Sequence, residues 1–288
     1  MIVAIAFLLG ASLDFKSLYE RGQLLYSRGE WEEARQTLAK ATGVNPKSFD
    51  ARFLLGATLV QLNRTSDAIR ELRIACELNP AHRDAAKLLA IQYGATDNHP
   101  EAVKLLAALV DVPPLDEEIH LLLIEAYQET GQGDRALQLA EKTMQRFPRS
   151  AAAHHWMGLE LKDAARFVEA KQFLDSAIRL DPDYQPAYVA EGDLALKQEQ
   201  CEEAEKYFRT ALAQKQDDAA AHIGMSRALA GQNQASAAIQ VLQRAAELTA
   251  DPRIHLELSQ LYLRTGDNKR ATHEADLYRR KKAEMRAQ

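Results

Sequence analysis

Apolar and small residues recur along this chain in a 34-residue rhythm, with polar residues filling the positions between them. Prolines 46, 80, 114, 148 and 182 mark the rhythm. Placing each of them at position 32 of a unit sets unit starts at Phe15, Phe49, Arg83, Glu117, Ala151, Gln185 and Ala219. An eighth unit begins one residue early, at Pro252. Within a unit, positions 4, 7, 8 and 11 are three or four residues apart and share one face of a first helix. Positions 20, 24 and 27 do the same for a second.

Each column has a physical reason. Position 20 is alanine in all eight units: Ala34, Ala68, Ala102, Ala136, Ala170, Ala204, Ala238 and Ala271. A side chain larger than a methyl would force apart two helices that cross closely. Position 8 is small in seven units (Gly22, Gly56, Ala90, Gly158, Gly192, Ser226 and Ser259), and position 24 is apolar in all. Position 15 reads Gly29, Asn63, Asp97, Gly131, Ala165, Glu199, Asn233 and Gly266. Six of these eight are residue types that tolerate a left-handed backbone, as expected where one helix ends and the chain turns. Pro100 fits the first turn of a second helix, and the position-32 prolines end second helices.

These columns resemble the tetratricopeptide repeat, a helix–turn–helix unit of 34 residues. The resemblance covers residues 15–284, leaving an apolar N-terminal segment (1–14) and a basic C-terminal end (279–288). It implies an all-α fold, a right-handed superhelical solenoid of tandem helix pairs whose first helices line a concave groove. Three departures stand out. Unit 6 carries Glu191 at the apolar position 7, Ala195 at position 11 and Gln216 in place of the proline. Ile124 occupies a small position in unit 4, and Arg21 an apolar one in unit 1. Local repacking or exposure accounts for all of them; for unit 6 the rival expectation is a flexible joint.

The family's groove positions (2, 5, 9, 12 and 13 of each first helix) assign a partner surface here. It comprises Tyr19, Gln23, Tyr26, Phe53, Lys87, Glu125, Gln128, His155, Lys162, Asp193 and Arg227. Exposed aromatics with scattered charges suit recognition of a protein or peptide. Family members that grip a chaperone's C-terminal tail use Lys at position 5 and Asn at position 9 of one unit. Lys87 has no such Asn, and position 9 contains none in any unit, so that ligand class is set aside.

Charge and chemistry narrow the reading further. The net charge of −5 lacks the basic footprint of a nucleic-acid binder. Lys269–Gln288 is locally basic, net +4, a run that suits the last helix's C-terminal dipole and a polar cap. Cys76 and Cys201 form neither a CxxC pair nor a Cys/His cluster, and almost four repeats part them, too far for a disulfide. His120, His154, His222 and His255 share position 4 with Tyr188. Packed helix axes lie about 8–10 Å apart, whereas zinc needs its ligands about 2 Å from one point, so this column predicts packing and no metal. No phosphate loop, GxGxxG, HExxH or GxSxG is present, and no cofactor or catalytic group is expected.

Ile2–Leu9 is an unbroken apolar run followed by Gly10, Ala11 and Ser12, like the core and cleavage region of a secretory signal, although no Lys or Arg precedes it. It is shorter than the roughly 18–20 residues of a spanning helix. An export signal predicts an exported or periplasmic protein. The other reading, an apolar helix covering the first repeat, predicts a cytoplasmic one, with membrane contact only through residues 1–13 if they are retained. The leading expectation is a non-catalytic binding scaffold, of the kind found in a bacterial envelope assembly or secretion complex. The alternatives are a regulatory or assembly subunit of a separately encoded enzyme and, third, an enzyme in its own right.

Overall fold

A computed structural model describes residues 14–287; the apolar run and its export reading lie outside the described residues. Sixteen α-helices and no strand occur among the described residues. They form consecutive pairs joined by tight turns. The first four pairs are α1 (Phe15–Ser27) with α2 (Trp31–Val44), α3 (Phe49–Gln61) with α4 (Thr65–Leu78), α5 (Arg83–Ala95) with α6 (His99–Ala107), and α7 (Glu117–Glu129) with α8 (Gly133–Arg146). The others are α9 (Ala151–Asp163) with α10 (Phe167–Leu180), α11 (Gln185–Lys197) with α12 (Cys201–Gln214), α13 (Ala219–Gly231) with α14 (Ala235–Leu248), and α15 (Arg253–Arg264) with α16 (Asn268–Ala287). Two compact units divide the chain between Leu139 and Ala140. Within each unit helices consecutive in sequence pack against one another, as α1 does with α2 and α9 with α10.

Local chemistry explains why each helix starts and stops. Asp14, Ser48, His82, Asp116, Ser150 and Asp218 cap first helices, each accepting a backbone N–H from the first turn. The turn that ends every first helix has a positive φ, from +54° at Asn63 to +83° at Gly266. It is the same two-bond turn throughout. In repeat 5, for example, the Arg166 N–H reaches the Leu161 carbonyl at 2.8 Å and the Ala165 N–H reaches Lys162 at 3.0 Å. Ala165 (φ +58°) and Glu199 (φ +61°), the two residue types ill suited to this conformation, adopt it with the other six.

The core is built from the small and large columns together. Every position-20 alanine is buried, and Leu38, Leu72, Leu106, Leu174, Phe208 and Leu242 at position 24 are completely so. Gly22, Gly56 and Gly158 leave room for those leucines: a Cβ on Gly22 would lie 2.5 Å from Leu38 Cδ2. Repeat 6 uses a different solution. Phe208 replaces leucine and fills the volume that Ala195 leaves, and its ring fits because Gly192 and Gly224 flank it on two successive first helices.

The remaining departures have individual accommodations. Arg21 is exposed and Ile124 fully buried. Glu191 is only 1% exposed, with Lys171 Nζ 3.4 Å from Oε2. Lys171 Nζ also donates to Tyr207 Oη at 3.1 Å, and Asp175 and Glu203 lie within 4 Å of the same ammonium. Burial pushes the Glu191 carboxyl up to about 7, with Asp175 adding to the shift and Lys171 opposing it.

Candidate partner-binding surfaces

Histidines of the position-4 column pack locally. His120 Nδ1 lies 2.8 Å from the Asp116 carbonyl and His154 Nδ1 2.9 Å from that of Ser150. His222 Nε2 approaches the Gln216 carbonyl at 2.8 Å, and His255 Nδ1 approaches Glu274 Oε2 at 2.7 Å. In repeat 2, Arg52 takes the histidine's place and pairs with Glu71, the residue 19 positions on, as His255 does with Glu274. Among the described residues, no group of three or more His, Cys, Asp or Glu side chains is placed to hold a metal ion. Cys76 and Cys201 are half-buried free thiols, and burial pushes Cys76 up to about 11.

In the N-terminal unit, Tyr19, Gln23, Tyr26 and Phe53 converge on one pocket of about 400 Å³ with Phe49, Asp50, Leu54 and His82. Two helices supply its aromatic walls through i,i+4 pairs, which share a helix face. Phe15 stacks on Tyr19 with centroids 5.9 Å apart, and Phe49 on Phe53 at 5.8 Å. His82 closes a side, 4.6 Å from Phe49 and 5.1 Å from Phe53, while Tyr26 meets Trp31 edge-on at 5.1 Å. Gln23 Nε2 donates to Tyr19 Oη at 2.9 Å. Burial, then the nearby Asp50 carboxylate, raises the Tyr19 phenol above its ordinary value.

The C-terminal unit gathers Lys162, Asp193 and Arg227 around an open cavity of about 770 Å³, with Leu196, Lys197, Glu199, Cys201 and Gly231. Burial raises the Asp193 carboxyl, and Lys162, Arg227 and Lys197 oppose that shift. Arg227 also pairs with Glu257. This surface is mixed in charge and poor in aromatics, unlike the pocket of the N-terminal unit.

Other predicted groove residues are placed differently. Lys87 is held by Asp84 (3.1 Å), Asp116 (3.2 Å) and Glu118 (2.9 Å), so its charge is already matched within the chain. Burial lowers its pKa, but the three carboxylates outweigh that effect and the net shift is upward. His155 is 7% exposed, edge-on to Tyr184 at 5.5 Å, and burial pushes it down to about 4. Both are poorly available to a partner. Glu125 lies on a small hollow of about 170 Å³ beside Ile91, His99 and Leu122; burial, then Glu129, raises its carboxyl. Gln128 is half-buried on α7. Phe49, Asp50 and His82 were not among the predicted residues. The repeated aromatic spacing, 15 with 19 and 49 with 53, was the signal that points to this pocket.

Helix pairs of one design, stacked in each unit and presenting side chains of the first helices, define a helical-repeat protein. Tetratricopeptide repeat family models match residues 19–83 and 87–151, and a second pair of matches covers 161–228 and 195–256. The chain belongs to the tetratricopeptide repeat family. No curated protein sequence matches it. Among solved structures, one similar chain is described as the APC/C hetero-tetramer Cut9–Hcn1, with a TM-score of 0.65 and 14% identity over 98% of this chain and 57% of that one. This chain thus spans little more than half of that match. Another is YrrB, described as a TPR protein with an unusual peptide-binding site (TM-score 0.55, 21% identity, 62% of this chain and 92% of that one). A third is pilF of Pseudomonas aeruginosa (TM-score 0.56, 17% identity, 72% and 94%). At these identities the likeness is one of fold. Tandem repeats of this kind generally serve as protein-interaction scaffolds.

Proposed function

We propose that this chain is a non-catalytic scaffold that takes a peptide segment of a protein partner on its first-helix surfaces, with the aromatic pocket of the N-terminal unit as the principal seat. The observation that carries this reading is the convergence of Tyr19, Gln23, Tyr26 and Phe53, four residues assigned to a partner surface from repeat position alone, on one open pocket. Aromatic side chains dominate binding energy where they line a concave, partly desolvated site. The mixed-charge cavity around Asp193 is a second contact region on the same reading.

The test is quantitative recovery of partners from the source cell by the intact chain and by a Tyr19→Ala, Tyr26→Ala, Phe53→Ala variant with a native circular dichroism spectrum. Loss of specific partners from the variant supports the reading; identical recovery refutes it. A role in an envelope assembly rests on the Ile2–Leu9 run alone. Sequencing the N-terminus of the mature protein decides that part: removal of residues up to about Ser12 supports export, and an intact Met1 in the cytoplasmic fraction refutes it. Among the described residues no helix is long and apolar enough to cross a membrane.

A further inference from the structure

The aromatic pocket carries more information than apolarity. Five of its eight lining residues are rings (Tyr19, Tyr26, Phe49, Phe53 and His82), and no lysine or arginine lines it. His82 Nδ1 is engaged by the chain's own backbone, accepting the Ala85 N–H at 3.2 Å. The two cations adjacent in sequence to lining residues are engaged elsewhere: Arg52 is bound to Glu71 and to the Pro46 carbonyl, and Arg83 donates to the Val112 carbonyl at 2.8 Å. The one carboxylate, Asp50, is exposed on the first turn of α3 and has no ion-pair or hydrogen-bond partner among the described residues. It stands close enough to raise the Tyr19 phenol.

We propose that this pocket seats an arginine side chain of the partner peptide, its guanidinium stacked on the Phe49, Phe53 and Tyr19 rings and its charge matched by Asp50. The inference rests on the reading of the pocket as a partner seat and deepens it. Negative ring faces attract a cation laid over them. A planar guanidinium can stack and donate to a carboxylate in one pose, which an ammonium does less well. A leucine or phenylalanine anchor would use the rings but would draw water from Asp50 without offering it a partner. The volume, about 400 Å³, is ample for a long side chain together with some flanking main chain.

The test pans displayed random heptapeptides against the intact chain and titrates the strongest binder by calorimetry. The enriched sequences should share an arginine. Replacing that arginine by citrulline, its uncharged near-isostere, should weaken binding about tenfold, as should Asp50→Asn in the protein. The citrulline penalty should shrink in the Asp50→Asn background, since both changes remove one interaction. Enriched peptides with apolar anchors, weakened by Phe53→Ala and indifferent to Asp50→Asn, would overturn the arginine assignment while leaving the pocket as the seat. Binders indifferent to Asp50→Asn, Phe53→Ala and Tyr19→Ala alike, or no enrichment at all, would overturn both. Asp50 is exposed, so Asp50→Asn keeps the test open even if Phe53→Ala fails to fold.

Discussion

Replacing Ala165 by glycine should stabilise the C-terminal unit, although it deletes a methyl group. Ala165 turns the chain between α9 and α10 at φ +58°, where an L side chain crowds the following carbonyl. That conformation costs a non-glycine residue about 1–2 kcal/mol. Glycine removes this cost but returns about 0.4–1 kcal/mol through its greater freedom in the unfolded chain. The net expectation is a gain of about 0.5–1 kcal/mol. Gly131 supplies the converse. It has φ +69°, and a Cβ added there meets nothing within 4 Å, so Gly131→Ala should lose a similar amount through the backbone alone. In a repeat array the sharpest readout is local, because each repeat answers mainly to its neighbours. Native-state hydrogen exchange of the Arg166 amide, bonded to the Leu161 carbonyl at 2.8 Å, reports the turn directly. Slower exchange in Ala165→Gly and faster exchange of the Gln132 amide in Gly131→Ala are expected. If Ala165→Gly exchanges faster, or Gly131→Ala is neutral, the strain argument is wrong.

Two further outcomes follow from the core of the C-terminal unit. Glu191 has its carboxyl pushed up to about 7, so its contribution to stability is complete below the unfolded value near 4.5 and is lost as pH rises through 7. His155 is pushed down to about 4 from 6.5, so its contribution is complete above 6.5 and is lost as pH falls toward 4. The two slopes oppose each other, and Glu191→Gln should expose the His155 limb, urea midpoints rising with pH between 5 and 7; a midpoint that still falls there would refute the assignment. Phe208 is completely buried between Gly192 and Gly224, so hydrogen exchange in α11 and α12 should be as slow as in the adjoining pairs. Phe208→Ala should remove that protection at a cost of about 3–5 kcal/mol, whereas fast exchange in the unaltered protein would favour a flexible joint in repeat 6.

Packing columns were readable in the sequence because each is decided inside one repeat. Ala34 and its seven equivalents meet the same helix crossing, so the same residue answers it every time. The turn was readable at six positions and opaque at Ala165 and Glu199, because the two-bond turn imposes its φ on whatever residue stands there. Propensity proposes the conformation and the hydrogen bonds enforce it. Unit 6 shows the opposite limit. Ala195 looks like a gap and Phe208 like a minor variation when each column is read separately. They balance only when the volume shared by α11, α12 and α13 is considered, and Gly224, outside the repeat's conserved positions, completes the fit.

The candidate sites were less readable for a related reason. A repeat position states where a side chain emerges, and neighbouring repeats decide whether it stays available. Lys87 emerges at position 5, but Asp116 and Glu118 from the next repeat's entry take its charge. His155 emerges at the same position and is covered by Tyr184, which arrives 29 residues later. Tyr19 and Phe53 also occupy position 5 and keep an open face, because the entries to repeats 2 and 3 supply Asp50 and His82, which frame a cavity and do not fill it. Position 5 alone therefore cannot tell a staple from a seat. Residues 29 to 31 positions downstream of it can, since these form the next entry turn: Asp50 and His82 beside Tyr19 and Phe53 leave room, whereas the acids after Lys87 consume it.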